Sequence, residues 1–145
     1  MKQELSQKHI DIIKESAELI TANDLEITSK MYEILFYKYP HLEMLFENAP
    51  DNQFMKLAEA LSAYAINIDK IDKLTPALEL IATKHVEVNI RPGHYSMVGM
   101  ALIEAIEEVL GKKAPIGFID AWREVYKYLS DILIEMENEL YKELK

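Results

Sequence analysis

Residues 75–95 read TPALELIATKHVEVNIRPGHY, and the placement of His85 within them organises the reading of the whole chain. Thr75 is a natural N-cap, and Pro76 follows at the first helical position, where its missing N–H costs nothing. Leu78, Ile81, Ala82 and His85 then recur at spacings of three and four, which puts the imidazole on the apolar stripe of a short helix. Arg91-Pro92-Gly93 stops that helix, because the residue before a proline is pushed out of the helical region. Two chemistries fit an inward imidazole: a core histidine donating to a backbone carbonyl, or a ligand to a metal or a haem iron.

Working outward, 145 residues suit one domain, residues 1–145, that can bury roughly two-thirds or more of its unfolded surface. Half the residues are hydrophobic, enough for a true core. Only 4 Gly and 5 Pro occur, with no Asn-Gly or Asp-Gly pair, which argues against an all-β fold. The absence of cysteine excludes disulfides, zinc–thiolate sites, iron–sulfur clusters and thioether-linked haem. A formal charge of −9 repels phosphate backbones, so no nucleic-acid partner is expected. No apolar run reaches the ~18 residues of a membrane span. The charged start MKQELSQKHIDIIK is not a signal peptide, so the expected location is cytoplasmic.

The remaining pattern is helical throughout. Ser6 caps a first helix striped by Ile10, Ile13, Ala17 and Ile20, with His9 beside the stripe and read as solvated. Asn23-Asp24 reads as a break before a second helix to about residue 38, with Ile27, Met31, Ile34 and Leu35 inward and Tyr32, Phe36 and Tyr39 widening that face. Pro40 ends it, His41 reads as exposed, residues 42–46 form a helical turn and residues 47–52 a loop. A third helix, from near residue 51 to 68, carries Leu57, Leu61, Tyr64, Ala65 and Ile68, with Gln53 at the edge of the apolar face. After the His85 helix, residues 93–110 place Tyr95, Val98, Leu102, Ile106 and Val109 inward, and Gly111 stops the run.

The last helix, residues 118–143, has the stripe Trp122, Val125, Tyr126, Leu129, Leu133, Met136 and Leu140. Glu137 falls about 60° round from Trp122, on the margin of that stripe. There it is either paired within the fold or reaches out to solvent. Six or seven helices of unequal length and no strand give an all-α, irregular globular architecture.

Residues 32–46, YEILFYKYPHLEMLF, resemble the Y-x-x-L-F-x-x-x-P-x-x-x-x-L-F stretch of bacterial single-domain haemoglobins and of flavohaemoglobin globin domains. The likeness continues in register through Gln53 with Leu57, Lys84-His85, His94-Tyr95 with Val98-Gly99, and Asp120-Ala121-Trp122, Tyr126, Glu137 and Leu140-Tyr141. Phe54 stands where the family often has proline, and Ser96 replaces another. The resemblance implies a globin fold around a haem pocket and a non-covalent haem b whose iron is held by His85. It implies a proximal network of Tyr95 and Glu137 on that histidine, and a distal pair, Tyr32 and Gln53, donating to bound dioxygen. Phe46 and Leu57 are the implied haem contacts, with Ile81, Lys84, Val98 and Tyr126 beside them.

The implied function is reversible dioxygen binding with oxidation of nitric oxide to nitrate, or a related peroxidase-like reaction. The length leaves no room for flavin- and nicotinamide-binding domains, so an external reductase is the expected electron source. The expected assembly is a monomer or weak homodimer. Oxygen carriage or storage alone, and a globin-fold sensor or interaction module, are the alternatives.

Overall fold

Ser6 opens the first helix as expected: its Oγ accepts from the His9 N–H at 3.3 Å. The computed structural model describes residues 5–47, 49 and 52–144. Six α-helices run through these residues: α1 (Gln7–Glu15), α2 (Ala17–Lys38), α3 (Gln53–Ile66), α4 (Thr75–Glu87), α5 (Pro92–Leu110) and α6 (Phe118–Glu143). Short 3₁₀ segments occupy Pro40–Phe46, Ile71–Leu74 and Gly111–Lys113, and no strand occurs among the described residues. α2 packs against α3 and α5, while α6 packs against α1, α4 and α5. The all-α expectation therefore holds.

Three local readings are corrected. The break between the first two helices falls at Ser16, whose hydroxyl and backbone N–H both turn back to the Ile12 carbonyl. Asn23-Asp24 lies inside α2, because one side chain bonds back to its own helix and the other finds a partner on α3. Asn23 Nδ2 donates to the Leu19 carbonyl at 2.8 Å, and Asp24 accepts from Ser62 Oγ at 2.7 Å.

Thr75 is not the cap of α4, since the 3₁₀ turn Ile71–Leu74 runs straight into the helix and leaves Leu74 at the cap position. His9 is not free in solvent: its Nδ1 lies 3.1 Å from the Glu124 carboxylate. The same carboxylate accepts from the Ser6 N–H at 2.8 Å, tying the start of α1 to α6. The expected helix start at Asp51, and part of the loop before it, lie outside the described residues.

The core runs along the predicted stripes. Ile13, Ile20, Ile27, Met31 and Leu35 meet Leu78, Ala82, Ile106, Phe118, Trp122 and Val125, all essentially buried. Burial of an aliphatic side chain of this size contributes roughly 1.5–3 kcal/mol, so these stripes carry most of the stability. They also fix α4, α5 and α6 against one another, and those three helices carry the groups described next.

Candidate functional site

α4 keeps Leu78 and Ala82 in the core, and the helical period brings His85 to the same side one turn on. The ring is not sealed in, since about a third of its side chain is accessible. Its Nδ1 lies 3.0 Å from Glu137 Oε2 and 3.0 Å from Tyr95 Oη. Tyr95 O–H donates to the same Glu137 oxygen at 2.6 Å. One carboxylate oxygen thus gathers a phenol from α5 and an imidazole from α4.

Glu137 is buried, so its charge depends on those two donors. Of its two sequence readings, the paired one holds. Burial, with the Glu137 hydrogen bond and charge behind it, pushes the Tyr95 phenol far above its ordinary range. Tyr95 therefore stays a donor. With Nδ1–H given to the carboxylate, Nε2 is the nitrogen left with a free lone pair.

Tyr126 braces this arrangement from behind. Its hydroxyl donates to the Tyr95 carbonyl at 2.6 Å, and its ring lies so close to Gly99 that a Cβ there would meet Tyr126 Cε2 at 2.5 Å. The turn between His85 and Tyr95 is pinned in the same way. Tyr141 O–H donates to the Ile90 carbonyl at 2.6 Å, and the Arg91 guanidinium stacks 4.0 Å above the Tyr141 ring. Asn89 in that turn takes a φ of 67°, a conformation asparagine tolerates better than most residues.

A second group forms where α2, the Pro40–Phe46 segment and α3 meet. The rings of Tyr32, Phe36 and Phe46 pack at centroid distances of 5.4 to 5.8 Å. The Gln53 side chain stands near enough to the Tyr32 hydroxyl to influence it. Burial pushes the Tyr32 phenol up to about 12, with Gln53 opposing the shift.

Tyr32, Phe46, Leu57, Ile81, Tyr95 and Val98 share one trait: each packs on the core yet stays only half-buried. Lys84 is exposed. The structure therefore brings Tyr95, Tyr126 and Glu137 together with His85, and brings Phe46 and Gln53 together with Tyr32.

The donor set fits a haem. Among the described residues no group of three or more His, Asp or Glu converges, so these side chains form no metal cage. A single imidazole with its other nitrogen held by an acceptor suits an iron whose remaining ligands come from a macrocycle. Half-buried aromatic and aliphatic side chains suit a flat apolar group. Sequence reading missed two supports, Thr28 and the Arg91–Tyr141 stack. Thr28 had a signal, standing one turn before Tyr32 on the apolar face of α2. The stack joins residues far apart in the chain and had none.

Comparison with known proteins agrees with this geometry. The Globin family model matches residues 29–133. An uncharacterised globin-like protein of Aquifex aeolicus is 42% identical over 139 residues, covering 96% of this chain and 99% of that one. A flavohemoprotein of Rhodopirellula baltica is 41% identical over 142 residues, 96% of this chain but 35% of that protein. The chain thus spans about a third of the length of that relative. Among solved structures, an engineered carbene transferase derived from a proposed nitric oxide dioxygenase of Rhodothermus marinus superposes with a TM-score of 0.92. It is 33% identical, with 97% of this chain and 99% of that one covered.

Proposed function

Because this chain belongs to the globin family, alongside bacterial globins and flavohemoprotein globin domains, we propose that it holds a non-covalent haem b on His85, binds dioxygen reversibly and oxidises nitric oxide to nitrate. The observation that carries this reading is the buried Glu137 carboxylate on His85 Nδ1. Bound there, the haem supplies an iron that takes diatomic gases and changes charge by one electron.

The chain's own residues do the rest. Glu137 draws the Nδ1 proton toward itself, which gives the imidazole anionic character and makes Nε2 a stronger electron donor. Tyr95 holds that carboxylate in place and remains protonated. Tyr32 O–H and Gln53 N–H are donors for a gas that carries partial negative charge. Phe46, Leu57, Ile81 and Val98 keep water from the reacting side chains. Lys84, exposed beside His85, is the cation offered to a propionate. Tyr126 acts through Tyr95, because its hydroxyl is already committed to the Tyr95 carbonyl.

The reaction joins one nitric oxide, one dioxygen and one electron into nitrate. The proposal therefore includes a separate reductase as partner to a single globin domain, residues 1–145. Reconstitution with haem tests it. Ferrous wild type exposed to air should give a stable oxygenated spectrum, and His85→Ala should not. With a reductase present, each haem should consume many equivalents of nitric oxide. Binding without turnover would leave oxygen carriage; failure to take up haem would overturn the reading altogether.

A further inference from the structure

The start of α3 carries Gln53, yet it has none of the usual supports of a helix end. Asn52, at the cap position, makes no side-chain cap bond, and no acidic residue stands in the first turn. Bonds from α2 hold this end instead. Three polar residues on α2, Asp24, Thr28 and Tyr32, recur at a spacing of four, so they share one face. Each meets α3. Asp24 accepts from Ser62 Oγ at 2.7 Å, Thr28 Oγ1 donates to the Phe54 carbonyl at 2.9 Å, and the Tyr32 hydroxyl lies near the Gln53 side chain.

The middle rung is the unusual one. Thr28 is completely buried, and the other buried residues of α2, Ile20, Ile27, Met31 and Leu35, are all apolar. Valine has the same shape and would need no partner there. The Phe54 carbonyl also has an acceptor role inside its own helix, so the threonine is not needed to satisfy it. The hydroxyl adds position: it fixes where along α2 the first turn of α3 sits, next to the residue whose amide must reach Tyr32.

The geometry points to Thr28 as a positioning residue for the distal pair, acting through the Phe54 carbonyl to set the reach of Gln53. This rests on the haem reading only for its functional consequence; the structural claim stands without it.

The test uses the haem-loaded, carbon monoxide-bound protein with two readouts. One is hydrogen exchange at the first-turn amides of α3, Met55 and Lys56, which bond back to the Asn52 carbonyl. The other is the iron–carbonyl stretching band, which reports hydrogen-bond donation to the gas. Thr28→Val should speed exchange at those amides by roughly two- to tenfold, the range for losing one hydrogen bond. It should also move the band toward its position in Gln53→Leu. Thr28→Ser, which keeps the hydroxyl, should restore both. Ser62→Ala cuts the rung farthest from Gln53 and should leave the band in place, separating positioning from general loosening of the α2–α3 contact.

Wild-type exchange or a wild-type band in Thr28→Val overturns the proposal, as does a band shift in Ser62→Ala as large as in Thr28→Val. Thr28→Ala removes the same hydroxyl and carries the comparison if the valine variant does not fold. If wild type takes up no haem, the functional reading fails on its own. Exchange in the unloaded protein then still decides whether Thr28 holds the start of α3.

Discussion

The two sides of the candidate site are built by different means. On the His85 side, three helices converge on one buried carboxylate oxygen, with contacts of 2.6 to 3.0 Å closing a triangle. Tyr126 and the Tyr141–Ile90 bond brace that triangle from outside. On the Tyr32 side, separate side-chain bonds at Thr28 and Asp24 tie α2 to α3 one at a time, and the helix that carries Gln53 begins without a side-chain cap. A buried network in which every donor is satisfied is rigid and costly to cut. A single rung at an uncapped helix end can be moved by one substitution. The first arrangement suits a histidine whose electronic character must not vary; the second suits a gas contact that can be tuned.

The largest effect expected follows from removing the centre of the rigid side. His85→Ala should abolish the oxygenated spectrum, because the chain offers no other imidazole at that position; a variant that still holds oxygenated haem would place the ligand elsewhere. Next is Glu137→Leu, which leaves the Tyr95 O–H without its acceptor, while the His85 Nδ1–H keeps only the Tyr95 oxygen. One orphaned buried donor should cost about 1–3 kcal/mol in chemical denaturation. The ferrous iron–histidine stretch should also fall in frequency as the imidazole loses anionic character. A Glu137→Leu protein as stable as wild type would mean that the triangle is not held together in solution.

Gly99→Ala tests the bracing without touching the triangle. Its Cβ would meet the Tyr126 ring at 2.5 Å, so the ring must move and its bond to the Tyr95 carbonyl must stretch. Overpacking of this kind costs about 1–3 kcal/mol. If the iron–histidine stretch also shifts, Tyr126 is shown to act through Tyr95. On the other side, Tyr32→Phe removes one donor to the gas and should speed oxygen release by about tenfold, the equivalent of one hydrogen bond. Unchanged release would take Tyr32 out of gas binding.

The rigid side was also the more legible one. Helical geometry alone put His85 on an apolar stripe and Glu137 on the margin of another, because both positions depend only on the 3.6-residue period. That period does not say which two stripes face each other, so the His85–Glu137 pairing came from resemblance and then from the coordinates. Asn23-Asp24 misled for a physical reason. Their preference for turns is satisfied without a break: Asn23 bonds back to the Leu19 carbonyl of its own helix, and Asp24 takes the Ser62 hydroxyl from α3. Ser16, whose hydroxyl competes for a backbone carbonyl, makes the actual break in the middle of an unbroken apolar period. Thr28 escaped because a threonine among isoleucine and methionine reads as a tolerated core residue until its acceptor on α3 is seen.

Alkaline unfolding offers the smallest effect and compares the two sides directly, since each carries a tyrosine that burial keeps neutral. A phenol is charged only when deprotonated, so burial raises its folded value above that of the unfolded chain, near 10. Each such group contributes stability fully below about pH 10. Above that, the unfolded chain has released its proton while the folded one has not, so stability falls as pH rises. For Tyr32 the loss should run from about 10 to about 12. For Tyr95 it should continue further, because Glu137 adds to burial there whereas Gln53 opposes it at Tyr32. Urea midpoints measured across this range should therefore fall less steeply in Tyr32→Phe than in wild type, and the relief should end near pH 12. Tyr95→Phe should keep its relief above that point. Equal windows for the two variants would mean that the carboxylate adds nothing beyond burial, and the contrast between the two sides would then rest on packing alone.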